Sequence, residues 1–484
     1  MGTAKSDITL NTPSRTLFMW CAMDLKMEYS PEYAGEVVAG ILEEFKPKVD
    51  LSIRIDKSEY RERWRKVQEA MDAKGYDSIY VCGSELDRSD VAWLAGVFDP
   101  IIERYGALLP RDGPPIILAG PEGGHVIEEA AEMSGAEVVF LKDFQISDEE
   151  YRWARFLSLD GLLDRLGLGK GKRIAICSSG EFIPYDHVVM LQGRLGSDNV
   201  VFDPLLLRLI KYEKSEKELM IMQQANRVAD AALRGMLAVL LPGATELQVA
   251  AVGDHIVKAL GGGRTGFPTI VTSGERGYTV IGPATNRVIR RGDVVSLGVS
   301  PTFNGYHGVI RRTVKAGGDF TPEEREFMEA VEGLYRTVMD AALKAASENL
   351  PSNYIDREGK KYLGKLKLRT LKGDLDTPWE PYTFIHNMGC SECQEGYGAV
   401  TPHTSKPLGG RVSLAIDVAL TGFQRRGEPV FPILYAVIED AFWKDGPRIG
   451  VYNELPLLVQ HLVGNLQPVS GGDVNPYHAS YGPS

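Results

Sequence analysis

The segment from Phe267 to Thr313, FPTIVTSGERGYTVIGPATNRVIRRGDVVSLGVSPTFNGYHGVIRRT, constrains the chain more than any other. It reads as strand, turn and strand, followed by a hairpin with its tip near Thr302-Phe303-Asn304-Gly305. Val295, Leu297 and Val299 alternate with their neighbours on the approach, the period of a strand packed on one face. Asn-Gly at the tip supplies the positive φ that a tight hairpin turn demands. Two antiparallel strands must then lie side by side in a buried sheet, and the residues facing outward from that pair decide what the sheet can do.

The rest of the chain is long enough to carry such a sheet in one domain and a second domain besides. It has 484 residues, 44% hydrophobic and 25% charged, as expected of a globular, soluble protein. A net charge of −11 argues against nucleic acid or an anionic membrane as partner. The longest apolar run, Met236–Pro242, is far too short to span a bilayer. Residues 1–21 show no apolar core behind a basic start, so no signal peptide is expected. Five scattered cysteines form no disulfide framework, which suits a cytoplasmic location.

Residues 1–57 read as an extension in which Ser30-Pro31 opens a helix through Phe45. Residues 58–210 alternate helices with strands at Ser78–Cys82, Ile116–Ala119, Glu137–Leu141 and Arg173–Cys177, the pattern of an α/β domain with a largely parallel sheet. Residues 211–463 form the next domain. Ser215 with Glu218 is a capping box for a long helix, and Thr321-Pro322 opens another. The lysine-rich stretch 347–380 reads as a loosely ordered insertion, and residues 464–484 as a tail.

The central stretch, with the Lys214-Ser-x-x-Glu and Pro242-Gly-x-Thr-Glu layout before it, resembles the pita-bread hydrolases: creatinase, aminopeptidase P, prolidase and methionine aminopeptidase, peptidase family M24. The resemblance implies an α/β N-terminal domain followed by an α+β pita-bread domain, and a homodimer. Metal-dependent members carry two aspartates on the central strands, which bridge a pair of metal ions. In register, those positions hold Gly298 and Val309, and the substrate-facing histidine falls at Ile281. The segment His386-Asn-Met-Gly-Cys-Ser-Glu-Cys-Gln-Glu-Gly396 is similar to the family's histidine strand, with Cys393 at its second histidine. The two glutamate ligands fall at Asp417 and Glu439.

From these residues the expected catalytic set is His386, Glu439, Asp417, His307 and Cys393, with Cys393 as a possible nucleophile served by His386. His307 is included because strand alternation puts it on the face of Val309. Ile281, Gly298, Val309, Tyr278 and Arg312 are expected to line the substrate pocket, Arg312 by bracing the carboxylates. Tyr306, Tyr397, Glu395 and His403 are expected to serve packing or surface roles. With two ligands exchanged for Gly and Val, the expectation is a site with no metal. The alternative is a single divalent ion at His386, Asp417 and Glu439. The function expected is metal-independent, creatinase-like C–N hydrolysis of a small, partly apolar non-peptide. A lyase on an aromatic substrate and a non-catalytic binding module are the alternatives.

Overall fold

The computed structural model describes residues 29–84, 87–97, 102–180, 183–393, 395–396, 399–466 and 474–482. The expectation about a signal peptide and the reading of Tyr397 lie outside these residues. No helix among them is long and apolar enough to cross a membrane.

Helix α1 (Pro31–Phe45) starts where expected, with the Ser30 hydroxyl accepting from the Tyr33 N–H. Its apolar stripe, Val37, Val38, Ile41 and Phe45, joins the same core as the long helix of the C-terminal domain. After α2 (Lys57–Lys74), the N-terminal domain builds six strands: β1 (Ser78–Gly83), β2 (Tyr105–Pro110), β3 (Ile116–Ala119), β4 (Glu137–Phe140), β5 (Ile174–Ile176) and β6 (Val200–Phe202). They are ordered β4-β3-β2-β1-β5-β6. Between them run α3 (Ser89–Ala95), α4 (Gly124–Ser134), α5 (Leu159–Arg165) and α6 (Tyr185–Leu195). The sheet is mixed where a largely parallel one was expected. Strand β2 was not foreseen and pairs antiparallel with both β1 and β3. Only a few residues join β2 to β3, which permits an antiparallel pair and no crossover.

His187 on α6 is buried in this domain. Its ring stacks on Phe144 with centroids 4.4 Å apart, and its Nδ1 lies 2.6 Å from the Tyr80 hydroxyl. Burial pushes its pKa down to about 4. The unfolded chain therefore takes up a proton between pH 6.5 and 4 that the native state refuses, so stability falls as pH drops through that window. At pH 4.5 this residue is expected to cost about 2–3 kcal/mol of stability relative to pH 7. Urea unfolding at the two pH values, on wild type and His187→Gln, should show the smaller pH dependence in the variant.

Helix α7 (Pro204–Tyr212) leads into α8 (Glu216–Val239), whose capping box of Ser215 and Glu218 forms as the sequence implies. After α9 (Glu246–Ala259) come β7 (Ile270–Ser273), β8 (Val294–Val299), the short pair β9 (Thr302–Phe303) and β10 (Tyr306–His307), and β11 (Ile310–Lys315). Next are α10 (Pro322–Glu348), α11 (Asn353–Lys365), the pair β12 (Leu368–Arg369) and β13 (Leu375–Asp376), and β14 (Ile385–Asn387). The chain closes its sheet with β15 (Arg411–Thr421), the pair β16 (Phe423–Arg425) and β17 (Glu428–Pro429), β18 (Tyr435–Asp445) and β19 (Arg448–Val451). The seven-stranded order is β14-β15-β18-β11-β8-β7 with β19 on β18, antiparallel throughout.

Two expectations about this half are corrected. The stretch 347–380 holds α11 and a strand pair rather than a loose insertion. Ile355, Gly359 and Leu363 recur every four residues and are buried, so the lysines occupy the opposite face. Residues 474–482 are no tail: the Asn475 amide reaches Asp440 at 3.0 Å, and the Tyr481 N–H reaches Gln223 at 2.7 Å.

The two faces of the sheet have different fates. On β15 and β18, Leu414, Ile416, Val418, Ala436, Ile438 and Phe442 pack with α10 residues such as Val331 and Tyr335 in one core. The intervening residues, Asp417 and Glu439 among them, face the other way. At the junction of the domains, the buried ammonium of Lys211 lies 2.9 Å from Asp90 and 3.6 Å from Glu395. Lys214 binds the other oxygen of Glu395 at 2.5 Å. One carboxylate from the loop after β14 is thus fixed by α7 and, through Lys211, to the N-terminal domain.

Candidate functional site

Strand register lines up one row of side chains across four strands. Asp417 on β15 is opposite Glu439 on β18, Glu439 is opposite Arg311 on β11, and Arg311 is opposite Gly298 on β8. Directly opposed residues share a face, so these four meet on the side of the sheet away from α10. Asp417, Glu439 and Arg311 are all buried.

Arg311 crosses the row. Its Nη1 stands 3.6 Å from Asp417 Oδ2 and 3.6 Å from Glu439 Oε2. Nη1 donates to the Tyr382 hydroxyl at 3.2 Å. Nη2 donates to the Tyr435 hydroxyl at 2.7 Å and to the Val280 carbonyl at 3.1 Å. Tyr382 in turn donates to Asp417 Oδ1 at 2.9 Å. Glycine at 298 gives this arginine its path: a Cβ there would lie 2.6 Å from Arg311 Cγ.

His386 and Glu392 complete the site from β14 and the loop after it. His386 Nε2 is 3.4 Å from Glu439 Oε1 and 4.0 Å from Glu392 Oε1. Its Nδ1 faces the Asn387 carbonyl at 3.2 Å, which leaves Nε2 for the carboxylates. His386 and Glu392 are half-buried, whereas Glu439 is buried, so solvent and ligands reach the row from the histidine end. Burial alone would lower the His386 pKa. The hydrogen bond to Glu439 and the charges of Glu392, Glu439 and Asp417 outweigh it and push it up to about 10. Asp417 is raised by burial and then by the charge of Glu439, against the opposing pull of Arg311.

A divalent ion fits the histidine end. One ligand atom each from His386, Glu392 and Glu439 lie within 4.8 Å of one another, a nitrogen and oxygen set suited to such ions. The single-ion alternative named Asp417 in place of Glu392; the Asp417 carboxylate is instead engaged by Arg311 and Tyr382.

Several expected roles change. Arg312 does not brace these carboxylates. It lies one residue out of phase, on the α10 side, where its Nη2 donates to Asp440 at 2.8 Å. Its other donors go to the carbonyls of Pro456, Arg311, Glu439 and Leu455. His307 is buried, and its Nδ1 faces the Gly389 carbonyl at 3.2 Å rather than the row. Alternation from Val309 fails there because β10 pairs only with β9, in a separate two-stranded sheet. Val309 is buried and donates its N–H to Asn226 on α8 at 3.0 Å. Ile281 is 59% exposed, although its neighbour Val280 receives Arg311. Tyr278 packs edge-on against Phe423 with centroids 5.1 Å apart. Glu395 is a buried ion-pair partner, not packing or surface.

Cys393 is exposed. Local desolvation, then the charge of Glu392 and a hydrogen bond to it, hold its thiol well above the ordinary range. A nucleophile needs the opposite shift. Cys393→Ser is accordingly expected to keep kcat/KM within about threefold of wild type, whereas loss of a covalent nucleophile costs orders of magnitude.

Arg311, Glu392, Tyr382 and Tyr435 are the site residues that sequence reasoning did not place. Arg311 had a signal, standing two residues after Val309 and so in phase with it if the strand is regular. Glu392 stands in an irregular loop, where no periodicity indicates direction.

With the geometry established, comparison with known proteins bears on function. Residues 220–412 match the family model for metallopeptidase family M24. An Xaa-Pro dipeptidase of Pyrococcus horikoshii is 25% identical over 292 residues, spanning 60% of this chain and 72% of that protein. A probable dipeptidase PepE of Mycobacterium tuberculosis is 28% identical over 246 residues, 50% of this chain and 58% of that protein. Among solved structures, the prolidase of P. horikoshii superimposes with a TM-score of 0.63 at 19% identity, covering 82% of this chain and all of that one. A zinc-substituted E. coli aminopeptidase P in complex with product gives 0.61 at 18% identity, covering 86% of this chain and all of that one.

These findings overturn the expected metal-independent chemistry on a non-peptide substrate, since the relatives carry the names of dipeptidases. They equally overturn the expectation of no metal: the family is one of metallopeptidases, and the donor set at His386, Glu392 and Glu439 can hold an ion. The pita-bread sheet, the match of residues 220–412 and the histidine–carboxylate group on its open face lead to one conclusion: the C-terminal domain of this chain is similar to the metallopeptidases of family M24.

Proposed function

We propose that this protein hydrolyses the peptide bond of a dipeptide or a similarly small amide, using a divalent ion held by His386, Glu392 and Glu439. The observation that carries this reading is the His386–Glu392–Glu439 group at the open end of the carboxylate row, in a chain similar to Xaa-Pro dipeptidases. His386, Glu392 and Glu439 would hold the ion, which would supply Lewis acidity at this end of the row.

The chain's own residues do the rest. Arg311 and Tyr382 hold Asp417 and Glu439 in fixed orientations, so the carboxylates meet the substrate without prior rearrangement. Asp417 and Glu439, neighbours across strands, are the proton acceptors of the buried end. The half-buried His386 and Glu392 form the entrance, which favours a short substrate placed end-on over a long chain. The same reading takes the protein as a homodimer in the cytoplasm, following the resemblance to two-domain relatives and the scattered free cysteines.

The test is a panel of Xaa-Pro and other dipeptides, assayed on chelator-stripped protein and again after adding manganese, cobalt or zinc. Hydrolysis that appears with an ion and disappears with chelator is the expected result. No hydrolysis of any dipeptide by the ion-loaded protein would overturn the proposal.

A further inference from the structure

Glu439 has one oxygen in each of two half-sites. Oε1 faces His386 at 3.4 Å, beside Glu392. Oε2 faces Arg311 Nη1 at 3.6 Å, and the same nitrogen stands 3.6 Å from Asp417. We propose that Arg311 is the built-in cation of the inner half-site and confines the divalent ion to the outer one, so that the protein binds a single ion per chain. This rests on the reading of the protein as an ion-dependent hydrolase.

Three observations support it. First, the strand position opposite Arg311 brings no ligand to the inner half-site, because Gly298 has no side chain. Second, Gly298 and Arg311 fit as a pair. A side chain at 298 would meet Arg311 Cγ at 2.6 Å, so the arginine can lie across the row only because residue 298 is glycine. Third, the charges balance with one ion. With His386 neutral as a ligand of the ion, Glu392, Glu439 and Asp417 set three negative charges against the single guanidinium, a shortfall that one divalent ion makes good. A second divalent ion would leave a buried excess of two positive charges, at high desolvation cost. Arg311 is also anchored by groups outside the row, through the Tyr435 hydroxyl and the Val280 carbonyl. It is a fixed positioning residue rather than a mobile substrate clamp.

Native mass spectrometry of the manganese-loaded protein reads the stoichiometry without reference to activity. One ion per chain is expected. Glu392→Gln should weaken manganese binding at least about tenfold, since even outer-shell partners are worth 10–100-fold. Asp417→Asn should leave it within about threefold. Arg311→Thr, which removes the cation and frees two carboxylate oxygens, should admit a second manganese; if that variant does not fold, the Glu392 and Asp417 pair decides the matter. Two ions in wild type, or binding that survives Glu392→Gln and is lost in Asp417→Asn, would overturn this inference and leave the hydrolase reading standing. No bound ion in wild type would overturn both.

Discussion

Glu439→Gln is expected to lower kcat/KM for the best dipeptide substrate by at least about a thousandfold, roughly 4 kcal/mol of transition-state stabilisation. The exchange keeps the shape of the side chain and removes its charge. No other residue of the row touches both His386 and Arg311, so both half-sites lose their shared counter-charge at once. An ion held as proposed would lose one of three protein ligands, and the buried guanidinium of Arg311 would keep only Asp417 as a counter-charge in the row. Steady-state kinetics on the ion-loaded variant measures the loss, and thermal unfolding run alongside shows whether the fold persists. A variant that turns over within tenfold of wild type would remove Glu439 from the chemistry.

The second large effect lies on the other face of the same strand. Asp440→Ala is expected to destabilise the fold by about 3–5 kcal/mol, the usual cost of stripping one partner from a buried ion pair. Arg312 and Asp440 are both fully buried. The five donors of Arg312 are matched to five oxygens, four of them backbone carbonyls and one the carboxylate. The second oxygen of Asp440 accepts from Tyr335 on α10 at 2.8 Å and from Asn475 at 3.0 Å. Truncation therefore leaves the guanidinium with its carbonyl partners but no counter-charge, and strands the donors of Tyr335 and Asn475 in a dry interior. Urea unfolding should show a lower midpoint with an unchanged slope. Tyr335→Phe, which removes one neutral donor, should cost only about 1 kcal/mol.

These neighbouring positions show where sequence reasoning reached and where it stopped. Features set by local chemistry were legible: the capping boxes at Ser215 and Thr321 form, and the hairpin at Asn304-Gly305 turns where its dipeptide says. The pita-bread fold was legible as well, through the resemblance carried by the central stretch. What was not legible depends on phase and on tertiary partners. Arg311 and Arg312 are adjacent and chemically identical, and only the strand register tells which faces the carboxylates. His307 fell one short strand outside the alternation used to place it. Strand β2 and helix α11 were missed because a brief apolar run and a lysine-rich amphipathic stretch carry little signal before their partners are known. Glu392 could not be placed, because the loop that turns it toward His386 has no repeat to read. The metal-free expectation failed for a related reason: it counted only the ligands at family positions, and the third donor of the group came from outside them.

The tie between Glu395, Lys211, Lys214 and Asp90 has a consequence for anyone wishing to trim this protein to its recognisable half. Glu392 is three residues from Glu395 on one loop, and that loop is moored through Lys211 to a helix of the other domain. Cutting away the first two hundred residues would not simply shed a passive appendage; it would slip the anchor that holds one wall of the entrance in place. On the proposed reading the amino-terminal half thus helps shape the entrance, though none of its described side chains lies in the carboxylate row.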